Sequence, residues 1–170
     1  RFYKNLAYNE PLPDGVELLN PFRDERVMDV VSLFYRKYFS DTNPRRLILG
    51  INPGRFGAGS TGIPFTDTKR LNEACGIPFH GFQTHEPSSV FIYDMIEACG
   101  GTTEFYSRFF ISAICPLGFT TAGNHGKQVN YNYYDHPELT RAVTPFILNT
   151  LQEQIHLGID TSVCYCLGTG

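Results

Sequence analysis

Asn52 stands directly after a short apolar run, Leu47-Ile48-Leu49-Gly50-Ile51. It opens a long loop, to about Thr66, that also carries Gly54, Phe56, Gly57, Gly59, Gly62 and Phe65. One amide, two phenyl rings and many main-chain N–H groups suit a flat polar heterocycle better than a polyphosphate. The loop has no GxxxxGKS/T phosphate cradle, and the chain has no GxSxG nucleophile elbow. In this setting Phe65 can stack on a ring face, main-chain amides can bind ring carbonyls, and Asn52 can orient a water or contact a sugar. Taken alone, an Asn before Pro is ordinarily a turn residue and a lone Phe ordinarily belongs to a core. The coincidence of both in a Gly-rich loop after a strand favours the chemical reading.

Other polar side chains are weaker candidates. Ser112 ends a second apolar run, where a hydroxyl normally bonds main chain. Asp67 can polarise a water but fits better as the cap of a short helix near 68–74. Arg55, Lys69, Arg70 and Lys127 lie on or near the two Gly-rich loops and are candidates for a local basic strip, although Lys and Arg are mostly surface residues anyway. The five His (His80, His85, His125, His136 and His156) show no metal-ligand spacing. His125 reads as a solvated loop residue and His136, before Pro137, as part of a helix start.

Elements that would position these groups follow from periodicity. Residues 1–23, punctuated by Pro11, Pro13, Asp14-Gly15 and Pro21, read as an irregular arm. Asp24 caps a helix over about 25–39, with Val27, Val30, Val31, Phe34 and Tyr38 on one face. The run 47–51 reads as a buried parallel strand. Ser88 or Ser89 caps a helix over about 89–99 with Phe91, Ile92, Met95, Ile96 and Cys99 inward, stopped by Gly100-Gly101. Phe109–Ile114 is a second buried strand, residues 118–132 a loop, and 162–167 a third strand. Pro137 starts a short helix, and Pro145 is expected to break it before another over 145–157, since Pro is costly inside a helix. Strands alternating with helices imply a three-layer α/β/α sandwich around a mostly parallel sheet. Ligands in such folds bind beyond the carboxyl ends of the strands, here after Ile51, at Cys115 and at Gly168.

Composition narrows the class. The chain has 170 residues, 42% hydrophobic and 18% charged, enough for one globular domain. Its 14 Phe and 10 Tyr with no Trp suit both cores and pockets for flat ligands. The net charge of −3 argues weakly against nucleic acid, yet an enzyme that acts on DNA and leaves can work with a local basic strip. The five Cys form no CxxC pair and read as buried free thiols in a reducing cytoplasm, with Cys164 and Cys166 on one strand face. No apolar run approaches a membrane span, and no leader is visible. The start on Arg1 and the end on Gly168-Thr169-Gly170 suggest a fragment that stops at a strand end.

Gly50-Ile51-Asn52-Pro53-Gly54-Arg55-Phe56-Gly57, followed by Thr61-Gly62-Ile63-Pro64-Phe65, resembles the first motif of the single-strand-selective monofunctional uracil-DNA glycosylases, G-M-N-P-G-P-F-G followed by T-G-V-P-F. The similarity continues from Ser89 through Phe91, Cys99-Gly100 and Phe105 to Ile114-Cys115-Pro116-Leu117, covering about residues 45–120, and Cys164–Gly168 is similar to a later strand of the family. The resemblance implies that Asn52 holds the attacking water, Ile51 and Gly54 give main-chain contacts to the base, Phe56 lines the pocket and Phe65 stacks on the flipped uracil. Two departures stand out. The family reads the uracil edge with an Asn just before C-P-L, where this chain has Ala113 preceded by Ser112. The family's second motif, with a His, would lie beyond Gly170.

The function implied is base excision: hydrolysis of the N-glycosidic bond of uracil in DNA, leaving an abasic site, with hypoxanthine or xanthine as other candidate bases because of Ala113. No metal or cofactor, a monomer, and DNA as the partner are expected. The alternatives are a non-catalytic nucleic-acid or nucleobase-binding module of the same fold, and a hydrolase or transferase for a small nucleotide.

Overall fold

The computed structural model describes residues 2–168; the expectation for the Thr169-Gly170 end lies outside them. In chain order the elements are α1 (Phe2–Asn5), β1 (Val16–Leu19), α2 (Glu25–Tyr38), β2 (Arg45–Gly50), α3 (Ala58–Thr61), α4 (Thr68–Glu73), α5 (Pro87–Ala98), α6 (Gly101–Arg108), β3 (Phe109–Ala113), β4 (Gly118–Ala122), β5 (Gln128–Asn130), α7 (Pro137–Ile155) and β6 (Ile159–Cys166). Short 3-10 turns cover Pro21–Arg23, Asn124–Gly126 and Tyr133–Asp135.

A parallel sheet of order β3-β2-β6 forms the centre. Side chains alternate across it. On one face Ile48 and Ile111 join the largest core cluster, with Phe34 of α2, Ile92 and Ile96 of α5, and Phe105 of α6. On the other, Leu47, Leu49 and Phe110 meet Leu151 of α7, Tyr35 of α2 and Phe39 just after α2. Helices on both faces give the expected α/β sandwich. No helix among the described residues is long and apolar enough to cross a membrane.

Helix α2 starts where expected, with the Asp24 carboxylate accepting from Arg26 N–H at 2.9 Å. Several other elements differ from the sequence reading. The arm contains β1, and the loop 118–132 contains β4 and β5; together these form a second, antiparallel sheet of order β1-β4-β5. Gly and Asn in these short strands mask their period, and the partner of β4 lies about a hundred residues upstream. Pairing and the burial of Phe119 hold the strand where local propensity does not.

Helix α5 starts at Pro87 with Glu86 as its cap residue, not at Ser88 or Ser89. Ser89 is already inside the helix and buried with Ile92, Tyr93 and Ile96, so Phe91 points outward. Gly100 does end the helix in a left-handed conformation, but α6 begins at once. Helix α7 runs through Pro145 without the expected break. Pro145 is exposed, and the Tyr8 hydroxyl donates to the nearby Ala142 carbonyl at 3.3 Å. Strand β6 starts three residues earlier than expected, and Cys164 and Cys166 are exposed rather than buried.

Candidate active site

The carboxyl ends of the three parallel strands are tied together. Ile114 N–H donates to Gly50 O, Cys115 N–H to Ile51 O, and Leu167 N–H to Leu49 O, at 2.7–3.0 Å. Above this edge lies a pocket of about 440 Å³, a size typical of small-molecule sites. Its wall includes Gly50, Ile51, Asn52, Gly54 and Phe65 from the loop after β2, Ser112 and Ala113 from β3, and Leu167-Gly168 after β6.

Phe65 is held in an uncommon backbone conformation, φ 54°. A left-handed non-Gly residue costs roughly 1–2 kcal/mol, so its surroundings must fix it. Thr61 and Thr66, both buried, do so: Thr61 Oγ1 donates to Thr66 O at 2.6 Å and accepts from Ile63 N–H at 3.2 Å, while Thr66 N–H donates to Ile63 O at 3.1 Å. Thr66 Oγ1 is also 3.0 Å from the Tyr93 hydroxyl of α5. This knot turns the Phe65 ring onto Gly50. A Cβ at residue 50 would sit 2.6 Å from the Phe65 Cε2 atom, so only Gly lets the ring lie there.

Asn52 is half-buried, and its Nδ2 donates to Pro53 O at 3.3 Å. That leaves Oδ1 without a protein donor among the described residues, an acceptor available to a water. The main-chain N–H groups of Ile51 and Gly54 likewise have no protein acceptor among the described residues. Among the described residues, the pocket lining thus combines two main-chain N–H groups and one amide oxygen without protein partners with the Phe65 ring.

Ser112 and Ala113 sit in the pocket wall, but Ser112 is committed elsewhere. Its hydroxyl donates to Gln154 Oε1 of α7, and Gln154 Nε2 donates to Ala113 O at 3.2 Å. Gln154 is fully buried, so this pair fastens α7 to the end of β3. Ala113 brings only a methyl group. Phe56 departs from its expected place: it is exposed outside the pocket, with the Arg55 guanidinium 3.9 Å over its ring.

The basic strip is thinner than expected. Arg70 is bound to Asp67 at 3.1 Å and lies 2.9 Å from His85 Nδ1, and Lys69 is 4.0 Å from Glu73. Arg55 and Lys127 remain, Lys127 exposed in the β4–β5 turn. Asp67 is the helix cap, as read: it accepts from Arg70 N–H at 2.9 Å and from Glu86 N–H at 3.0 Å, and is wholly buried.

Sequence reasoning missed several wall residues. Tyr3 and Phe22 reach the pocket from the arm, and Asn130, Asn132 and Tyr134 from β5 and the turn after it. Asn130 Oδ1 accepts from Arg55 N–H at 3.1 Å, pinning the Asn52 loop to the second sheet. Glu86 is the other omission. Its carboxylate lies on the loop backbone, with Oε1 2.7 Å from where a Gly54 Cβ would be, and it also fills the side-chain space of Gly57. Burial and the nearby Asp67 carboxylate push its pKa up, with Ser88 acting in the opposite direction. The glycines at 54 and 57 were legible; the acid that needs them was not. Among the described residues no cluster of His, Cys, Asp and Glu could hold a metal ion.

The family profile of the Uracil DNA glycosylase superfamily matches residues 36–170. The crystal structure of wild-type Pedobacter heparinus SMUG2 is similar to this chain at 54% sequence identity and a TM-score of 0.96, over 99% of this chain and 73% of that one. No curated protein matches. With a profile covering most of its length and the pocket at its strand ends, the chain belongs to the uracil DNA glycosylase superfamily, and is a glycosylase of base-excision repair that hydrolyses an N-glycosidic bond in DNA.

Proposed function

We propose that this pocket takes a uracil, or a related deaminated base, flipped out of DNA, and that Asn52 and Phe65 carry the reaction. The observation that supports this most is the Phe65 ring fixed over Gly50 beside the free Asn52 Oδ1. The base enters the pocket and stacks on Phe65. The N–H groups of Ile51 and Gly54 donate to its carbonyl oxygens. As the glycosidic bond lengthens, charge grows on the base, and fixed donors lower the barrier most where that charge appears. Asn52 accepts a hydrogen bond from the attacking water and aims it at the sugar carbon. A neutral amide is a poor base, so its contribution is positioning, which suffices when the sugar is already cation-like.

Ala113 offers no hydrogen bond to the base edge, which widens the set of acceptable bases to hypoxanthine and xanthine. The enzyme is read as a cytoplasmic monomer that works without metal or cofactor. Incubating the full-length protein with a uracil-containing oligonucleotide should release free uracil and leave an alkali-labile abasic site. Binding of that oligonucleotide with no abasic product would support a non-catalytic module instead. Tight binding of a nucleoside triphosphate with none for uracil would support a small-nucleotide enzyme.

A further inference from the structure

Two large aromatic side chains stand open at the mouth of this pocket. Phe91, in the first turns of α5, is 66% exposed, and Tyr134, in the turn Tyr133–Asp135, is 44% exposed. Both line the same pocket as Asn52 and Phe65. Neither belongs to a core cluster. Tyr134 is steadied by an edge contact to Tyr133, ring centroids 5.6 Å apart. Core packing does not account for two open rings at one pocket rim.

Charge at the rim points the same way. Arg70 is bound to Asp67, Lys69 lies beside Glu73, and Arg55 rests on Phe56. Glu86 adds an acidic group to the wall, and the chain carries a net charge of −3. Among the described residues, few of the candidate cations near the mouth, Lys127 in the β4–β5 turn among them, are left to neutralise phosphates. A strand held there must be held by other means, and the exposed π-faces supply one.

We propose that Phe91 and Tyr134 form a stacking subsite for the nucleobases that flank the excised base on the same strand. This rests on reading the pocket as the base-excision site. Stacking on aromatic side chains tolerates any base, since every base has a π-face, and amounts to roughly 10-fold in affinity per ring. The subsite would hold the strand on either side of the flipped nucleotide without reading its sequence.

The test uses the full-length protein and oligonucleotides with an uncleavable tetrahydrofuran residue flanked on one side or the other by 2-aminopurine. The wild type should alter the 2-aminopurine fluorescence on binding. Phe91→Ala and Tyr134→Ala should each weaken binding about 10-fold and abolish the fluorescence change on one side, while Phe91→Tyr restores it. Both positions are exposed, so thermal melting should confirm folded variants. Variants that bind within 2-fold of wild type with unchanged fluorescence, or a wild type with no fluorescence change, would overturn the subsite. Failure of the wild type to excise uracil in a parallel assay would instead remove the function reading, and so separates the two.

Discussion

The Phe65 ring occupies the space that a side chain at Gly50 would need, so the last residue of β2 and the aromatic platform of the pocket are one unit. Gly50→Ala adds a single methyl group, yet it must push the ring away or shift the strand end. Excision should fall by 100-fold or more, because misplacing a bound group by about 1 Å has that order of effect. Single-turnover kinetics with saturating enzyme measures it. A loss below 5-fold would show that the ring position is not needed.

Glu86 gives a pH-dependent signature. Its folded-state pKa is raised by burial and by Asp67, so the folded protein holds this proton more tightly than the unfolded chain does. Stability from this group is therefore full below the unfolded value near 4.5 and is lost as pH rises through the folded value. Glu86→Gln, which keeps the shape without the charge, should raise Tm by roughly 1–3 °C at pH 8. The gain should shrink towards pH 4.5. Thermal melts across pH 4.5–8 decide; a gain independent of pH would contradict the assignment.

Asp67 should matter to stability more than to chemistry. Its buried carboxylate holds the Arg70 and Glu86 N–H groups and the Arg70 guanidinium at once. Asp67→Ala leaves these unpartnered, at a cost on the order of 3 kcal/mol. Urea unfolding at neutral pH gives the number, and a cost under about 1 kcal/mol would contradict the network.

Ala113 bears on base choice. Ala113→Asn places an amide at the pocket wall where the chain now has a methyl group. The ratio of uracil to hypoxanthine excision should rise at least 10-fold, the order expected for a new hydrogen-bond reader in a buried site. Competition between the two bases in matched oligonucleotides measures the ratio; an unchanged ratio would exclude position 113 from base reading.

What could be read from the sequence was whatever local spacing determines. The Asn52–Phe65 loop, the apolar strands read at 47–51 and 109–114, and the Asp24 and Asp67 caps each rest on residues within a few positions of one another. What could not be read depends on distant partners. Strand β4 forms because β1 pairs with it across the chain, and β5 in turn pairs with β4. Ser112 reads locally as a hydroxyl bonded to main chain, whereas its partner is the side chain of Gln154, 42 residues on. Glu86 gave no local signal, since its place against Gly54 and Gly57 depends on how α5 meets the loop. Pro145 misled in the other direction: a local rule against Pro in helices lost to the packing of Leu139, Val143 and Ile147 on one continuous face.

The central claim is that Asn52 positions the water of a base-excision reaction in this pocket. The most direct measurement is the single-turnover rate of uracil release by the full-length wild type and by Asn52→Ala, with oligonucleotide affinity measured alongside. The expected result is a rate reduced 100-fold or more with affinity changed less than about 3-fold, since a group acting only in the transition state lowers rate and spares binding. An Asn52→Ala enzyme that releases uracil at close to the wild-type rate would contradict the account.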